Sequence, residues 1–317
     1  MRYGDYLNLD RLLGAQEPPG DDGKPRAFAH HDELLFVVVH QVFELWFKQT
    51  LHELRRARDL LAVDEVPESD IPRIVAALLR IHEIQQLCVH QFDVLETMQP
   101  LHFLSFRERL GSASGFQSSQ FRELEALSGL QPAQDGRPNF KQAVYAWLAR
   151  TPVEEGFAQR YLAAFETYVE RQRGLQRQNP DLDAKGQAAV QARLDAYLAS
   201  CHEFLAGESA TLNTACLFLT AYSGEPLLHL PCSLVEAVTA FDEWFRIWRF
   251  RHARMVERII GPRVGTGGSS GVDYLDSTVR ASIFPELLRS RAFLVPADLL
   301  PPLSDPDRYG FAKDLQG

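Results

Sequence analysis

Thiol chemistry, membrane-spanning segments and excess positive charge are all scarce in this chain. Only four cysteines occur among 317 residues, at Cys88, Cys201, Cys216 and Cys232. No two of them make the C-x-x-C pair of a zinc or redox-dithiol site. Reduced thiols in a cytoplasm are the expectation. The longest uncharged run, Ser209 to Gly224, carries Thr, Asn and Ser and is too short to cross a bilayer, so no membrane partner is expected. No charged segment leading into an apolar core follows Met1, and no signal peptide is expected. With 33 Lys and Arg against 42 Asp and Glu, the net charge is −9, which argues against a general nucleic-acid binder. Strand-like alternation is nearly missing and no internal repeat is evident. The expected fold is all-α, a helical bundle in one domain over 1–317 with a smaller helical excursion in the middle.

The stretch from Phe245 to Gly261 carries most of the information. In a helix, Phe241, Phe245, Trp248, Met255, Val256 and Ile259 fall on one face, and His252 joins them four residues after Trp248. Arg246, Arg249, Arg254 and Arg258 take the other face. A neutral imidazole on an apolar face can ligate a haem iron; it can equally be a core histidine bonded to a neighbouring helix. A second stripe, Phe36, His40, Phe43, Phe47, Leu51 and Leu54, is too long for a strand and predicts a helix capped by Asp32, with Glu33 favoured by the dipole in its first turn. His40 therefore stands on a face meant for burial.

The other segments are plainer. Residues 1–26 form a tyrosine- and leucine-bearing head cut off by Pro18, Pro19, Gly20 and Pro25; it can pack on its own domain or reach a neighbouring subunit. Pro67 and Pro72 predict a turn, and Ile74 to Thr97 a helix in which His82 and His90 are structural or solvated. Gly111 to Gly115 is a loop entering a helix, a place where free N–H groups welcome anions. Arg122 lies inside that helix, where an arginine is ordinarily a surface charge. Further helices are expected at Lys141–Arg150, Glu154–Gln178 and Gln187–Ala206. Gly224-Glu-Pro226 and Pro231 should break the chain before the His252 helix. Near the C-terminal end a short helical run is expected at Val279–Arg291.

Five long motifs, in order, carry a resemblance. They are His31-Asp-Glu-Leu-Leu-Phe36 running on to His40 and Trp46, Leu95-Glu-Thr-Met98, Ser114-Gly-Phe-Gln-Ser-Ser-Gln-Phe-Arg122, Trp248-Arg-Phe-Arg-His252, and Gly265-Thr-Gly-Gly-Ser-Ser-Gly271. Together with the Tyr3-to-Leu7 head they resemble tryptophan 2,3-dioxygenases over about 1–125 and 207–295, while about 126–206 matches only loosely. The resemblance implies a mostly helical homotetramer with one haem b per chain, acting on L-tryptophan or a related indole amino acid with O2. By position, His252 matches the proximal iron ligand and His40 the distal histidine that bonds the indole N–H. Phe36 matches an aromatic wall, Arg122 the arginine that holds the substrate carboxylate, and Thr266 the loop residue that meets the ammonium and carboxylate. Tyr3, Tyr6 and Leu7 match head residues that close an adjacent subunit's pocket. A planar guanidinium fork suits a carboxylate, and a glycine-rich loop suits closure over a ligand. The expected reaction opens the indole C2–C3 bond to give N-formylkynurenine. A relative acting on a substituted indole or inserting one oxygen atom shares the same motif positions, and a non-catalytic haem sensor remains a further alternative.

Overall fold

The structure, a computed structural model, describes residues 1–20, 23–111, 113–132, 136–263 and 271–304. Among the described residues there are thirteen α-helices and no strand beyond one isolated bridge, between Pro19 and Pro25. In chain order the helices are α1 (Tyr3–Leu7), α2 (Leu9–Leu13), α3 (Glu33–Leu61), α4 (Ile71–Leu95), α5 (Pro100–Arg107), α6 (Ser119–Ser128) and α7 (Phe140–Arg150). They continue with α8 (Phe157–Arg177), α9 (Ala184–Ala206), α10 (Ala210–Ala221), α11 (His229–Ile260), α12 (Val272–Val279) and α13 (Pro285–Ala292). The expected all-α fold is what the chain adopts. None of these helices is long and apolar enough to cross a membrane.

The chain folds as two compact units. One comprises residues 1–55, 79–134 and 241–282; the other comprises 56–78, 135–240 and 283–317. In the first, the expected stripe of α3 is mostly sealed: Phe43, Phe47, Leu51 and Leu54 are all buried. Phe92 of α4, Phe121 of α6 and Phe241 and Phe245 of α11 are buried too. Trp248 is the hub of this cluster, with ring centroids 4.9 Å from Phe121, 5.7 Å from Phe92 and 6.0 Å from Phe47. Such tilted and edge-on aromatic pairs add to the stabilisation from area burial.

The second unit is built on α8, α9, α10 and α13. Phe165 of α8 meets Tyr197 of α9 edge-on at 4.9 Å, and Phe293 lies 4.9 Å from Phe204. Tyr161, fully buried, donates its hydroxyl to the Phe293 carbonyl at 3.1 Å and accepts from the Val295 N–H at 3.2 Å. All four cysteines are buried, and burial pushes the Cys88, Cys201 and Cys216 thiols up to about 12. They are protonated, apolar packing groups.

Three boundaries differ from the sequence expectation, each because of a proline. α4 begins at Ile71 with Pro72 inside it, and α11 begins at His229 with Pro231 inside it. Each proline sits in a first turn, where its missing N–H would have had no intrahelical partner. Pro231 therefore does not break the chain. The run expected at Val279–Arg291 is helical only in its second half: α12 ends at Val279, and Pro285 starts α13 and holds Phe284 at φ −121°, ψ 62°, outside the helical region. The start of α3 also differs. Asp32 gives its carboxylate to His102 at 2.8 Å. Glu33 is the buried acid there, accepting from Arg26 Nη1 at 3.0 Å and from the Ala29 N–H at 2.6 Å.

Candidate functional site

A cavity of about 260 Å³ opens within the first unit, walled by α3, α4, α5, α6, α11 and α12. Phe36, His40, Arg122 and His252 all line it. Four residues named from three separate motifs are therefore brought together.

His40 occupies the cavity side of α3. Its Nδ1 lies 2.7 Å from the Phe36 carbonyl oxygen one turn earlier. A carbonyl only accepts, so Nδ1 carries the proton and Nε2 of the neutral ring keeps its lone pair. Burial among protein atoms lowers the pKa below the ordinary histidine value, against the opposing pull of the Phe36 carbonyl and Glu44. Protein surrounds the ring, yet it stays accessible because the cavity is open beside it. Phe36 leans against it with centroids 4.1 Å apart and is itself braced by Phe103 and Phe106 at 5.7 and 5.6 Å.

His252 extends from α11 into the same cavity. Its ring stacks on Trp248 at 5.2 Å and on Phe92 at 5.8 Å. Burial, reinforced by the nearby His40, brings its pKa down to about 4. Among the described residues it has no hydrogen-bond partner, so it is not a core histidine tied to a neighbouring helix. A neutral ring with an unengaged nitrogen on an apolar wall has the chemistry an axial metal ligand needs.

Arg122 is in α6, a short helix started by Ser118, whose hydroxyl accepts from the Phe121 N–H at 3.1 Å, and stopped by Gly129 at φ 106°. Its side chain is half-exposed. Nη1 is 2.7 Å from Glu125 Oε2, and the guanidinium lies 5.1 Å over the Phe121 ring. Glu125 also accepts from Arg249 Nη2 at 2.7 Å. Both Glu125 and Arg249 are 6% exposed, so Arg249 is a buried ion-pair member rather than part of a solvated face. Burial lowers the Arg249 pKa while Glu125 raises it.

The head residues are placed elsewhere. Tyr3, Tyr6 and Leu7 lie on α1 with 77%, 74% and 41% of their surface exposed, and none lines the cavity of this chain. Thr266 and most of its glycine-rich loop lie outside the described residues; Gly271 and α12 resume the chain at the cavity wall. Glu125, Glu44 and Phe92 also line the cavity, as does Arg249, whose place on the arginine face of its helix does not by itself imply a site role. Glu125 follows Arg122 by three residues, the helical ion-pair spacing, and Arg249 stands inside the Trp248–His252 motif; both signals were present.

One further cluster, His30, Asp32 and His102, has potential metal-ligand atoms within 4.8 Å of one another. It is internally satisfied. The Asp32 N–H donates to His30 Nδ1 at 3.1 Å, which puts the proton of neutral His30 on Nε2 and leaves that ring no lone pair for a metal.

Against known proteins, the family model described as tryptophan 2,3-dioxygenase matches residues 1–204 and 139–294. The tryptophan 2,3-dioxygenase of Alteromonas mediterranea is 35% identical, with 99% of this chain and 98% of the relative covered. Tryptophan 2,3-dioxygenase 2 of Ralstonia nicotianae is 37% identical at the same coverage. The Dictyostelium discoideum protein of that name is 36% identical over 95% of this chain and 85% of its own length. Similarity at this level along nearly the whole chain, with the motif residues of α3, α6 and α11 converging on one cavity, means that the chain belongs to the tryptophan 2,3-dioxygenase family.

Proposed function

We propose that this chain is a haem-dependent dioxygenase that opens the indole C2–C3 bond of L-tryptophan with O2, giving N-formylkynurenine at the head of tryptophan catabolism by the kynurenine route. The reaction comes from the relatives named tryptophan 2,3-dioxygenase. The observation that carries the reading to this chain is a single apolar cavity holding two neutral histidines from separate helices, one with no partner and one with its proton already committed.

His252 would hold the iron of one haem b per chain, bound without covalent attachment because no C-x-x-C-H motif occurs. Bound there, the haem supplies the oxygen chemistry. The chain's own residues orient and enclose the substrate. With Nδ1–H given to Phe36, His40 Nε2 is an acceptor suited to the indole N–H, the one polar group on that ring. Phe36 offers a flat wall one turn away, fixed by Phe103 and Phe106. Arg122 offers its guanidinium to the amino-acid carboxylate as a charge-assisted fork. Thr266, by its match to the family motif, would meet the substrate ammonium and carboxylate. The side chains of Tyr3 and Tyr6, and in part Leu7, are exposed among the described residues, which supports their closing the pocket of an adjacent subunit in a homotetramer. A cytoplasmic location fits four buried, protonated thiols.

The test is product analysis with isotopically labelled O2 and L-tryptophan on the ferrous enzyme. Two labelled atoms in a ring-opened product are expected. A product with one added oxygen and an intact ring would replace the reading by a monooxygenase, and preferential turnover of a substituted indole would change the substrate.

A further inference from the structure

We propose that Glu125, clamped by Arg249, is the positioning residue that aims Arg122 at the substrate carboxylate, and so sets the enzyme's discrimination for an α-amino acid over the corresponding amine. The inference rests on the reading of Arg122 given above and extends it to two residues of the same cavity wall whose part is to hold that guanidinium.

An arginine on a half-exposed helix face ordinarily samples many rotamers, and a mobile guanidinium makes a poor template for a planar anion. Arg122 is held from two directions. From below, its guanidinium lies on Phe121, whose ring stacks on Phe245 at 6.0 Å and 15°. Arg249 lies over that second ring at 4.9 Å. From the side, Glu125 lies between the two cations, with Oε2 2.7 Å from Arg122 Nη1 and Oε1 2.7 Å from Arg249 Nη2. Arg249 is anchored in turn: its Nη1 donates to the Thr278 carbonyl of α12 at 3.2 Å. The chain of contacts therefore runs from α12 through a buried arginine and a buried carboxylate to the arginine at the cavity wall.

Two features show that this is more than a structural ion pair. Glu125 Oε2 meets Arg122 through Nη1 alone, as an ion-pair contact without hydrogen-bond alignment. The opposite edge, Nε with Nη2, has no partner among the described residues, and Nε is fully buried. That edge is a two-donor fork matching a carboxylate, and a buried donor without a partner is costly unless a ligand completes it. The charges also fail to balance. Two guanidinium groups share one carboxylate, leaving one net positive charge at the cavity wall for one ligand carboxylate to neutralise.

The experiment measures binding by titration calorimetry on the enzyme with its prosthetic group in place. L-tryptophan is compared with tryptamine, which keeps the indole and the amine but lacks the carboxylate. Glu125→Gln should weaken L-tryptophan about tenfold and leave tryptamine unchanged. In an Arg122→Leu background the same substitution should have no further effect, because nothing remains to be aimed. Where Glu125→Gln alone folds poorly, the charge-balanced pair Glu125→Gln/Arg249→Met removes both partners together and should show the same selective tenfold loss. Equal weakening of both ligands, or continued weakening of L-tryptophan in the Arg122→Leu background, would make Glu125 merely structural and overturn the proposal. If Arg122→Leu leaves L-tryptophan binding intact, the carboxylate assignment of Arg122 itself fails, an outcome distinct from failure of the positioning role.

Discussion

Acid should destabilise the haem-free chain through one identifiable ring. The His252 imidazole titrates near 4 when folded, against 6.5 as its ordinary value, because burial and the neighbouring His40 disfavour its charged form. Between these two values the unfolded chain binds one more proton at this residue than the folded chain does. Stability therefore falls as pH drops from about 6.5 to about 4 and levels off below that. At about 1.4 kcal/mol per pH unit, the gap corresponds to about 3 kcal/mol. This is a ceiling, since the side of the ring facing the cavity keeps some contact with water. The assay is urea unfolding of the haem-free wild type and of His252→Leu, followed by circular dichroism near pH 7 and near pH 4. The stability difference between the two proteins should shift by up to about 3 kcal/mol in favour of the variant on acidification. Parallel losses in both proteins would refute the assignment of a buried neutral imidazole. If the shift is seen, it also means that the nitrogen lone pair is available without a proton to displace across the whole neutral range.

Three other outcomes are expected. His40→Ala should weaken L-tryptophan by a few-fold to about tenfold, the value of one hydrogen bond of about 0.5–1.5 kcal/mol; complete loss of turnover in steady-state kinetics would instead make His40 an obligatory base. Tyr161→Phe should lower stability by about 1–3 kcal/mol in denaturant unfolding, because the buried Val295 N–H loses its acceptor, and an unchanged midpoint would mean that another acceptor replaces it. Removing residues 1–12 should impair substrate binding with haem retained, and mixing that chain with His252→Ala should restore activity in hetero-oligomers verified by native mass spectrometry; no rescue in verified mixtures would place the head over its own chain's pocket.

Helix faces were legible because a period near 3.6 survives in sequence: the stripes containing His40 and His252 both line the cavity or its aromatic wall. Helix starts were less legible. Pro72 and Pro231 look like breakers until their positions relative to the first turn are known, and that depends on where upstream residues begin to coil. Charged residues were least legible. Arg249 shares a helix with solvated arginines, and only the packing of Phe121 against Phe245 and Trp248, more than 100 residues away in the chain, brings Glu125 to it. The tautomer of His40 depends likewise on a 2.7 Å approach to the Phe36 carbonyl that spacing makes possible without requiring it.

The two histidines of the cavity stand at positions 40 and 252, so 212 residues separate them in the order of synthesis. At about 5–20 residues per second, a ribosome takes roughly 10–40 s to travel from one to the other. For most of that interval Phe43, Phe47 and Phe92 have been made while Trp248, the ring they pack around, has not. The nascent chain must therefore carry an unfinished aromatic face through most of its translation, a target for chaperones and a source of aggregation when synthesis is fast. A translation-arrested fragment ending before α11 should bind a hydrophobic dye that the completed chain does not.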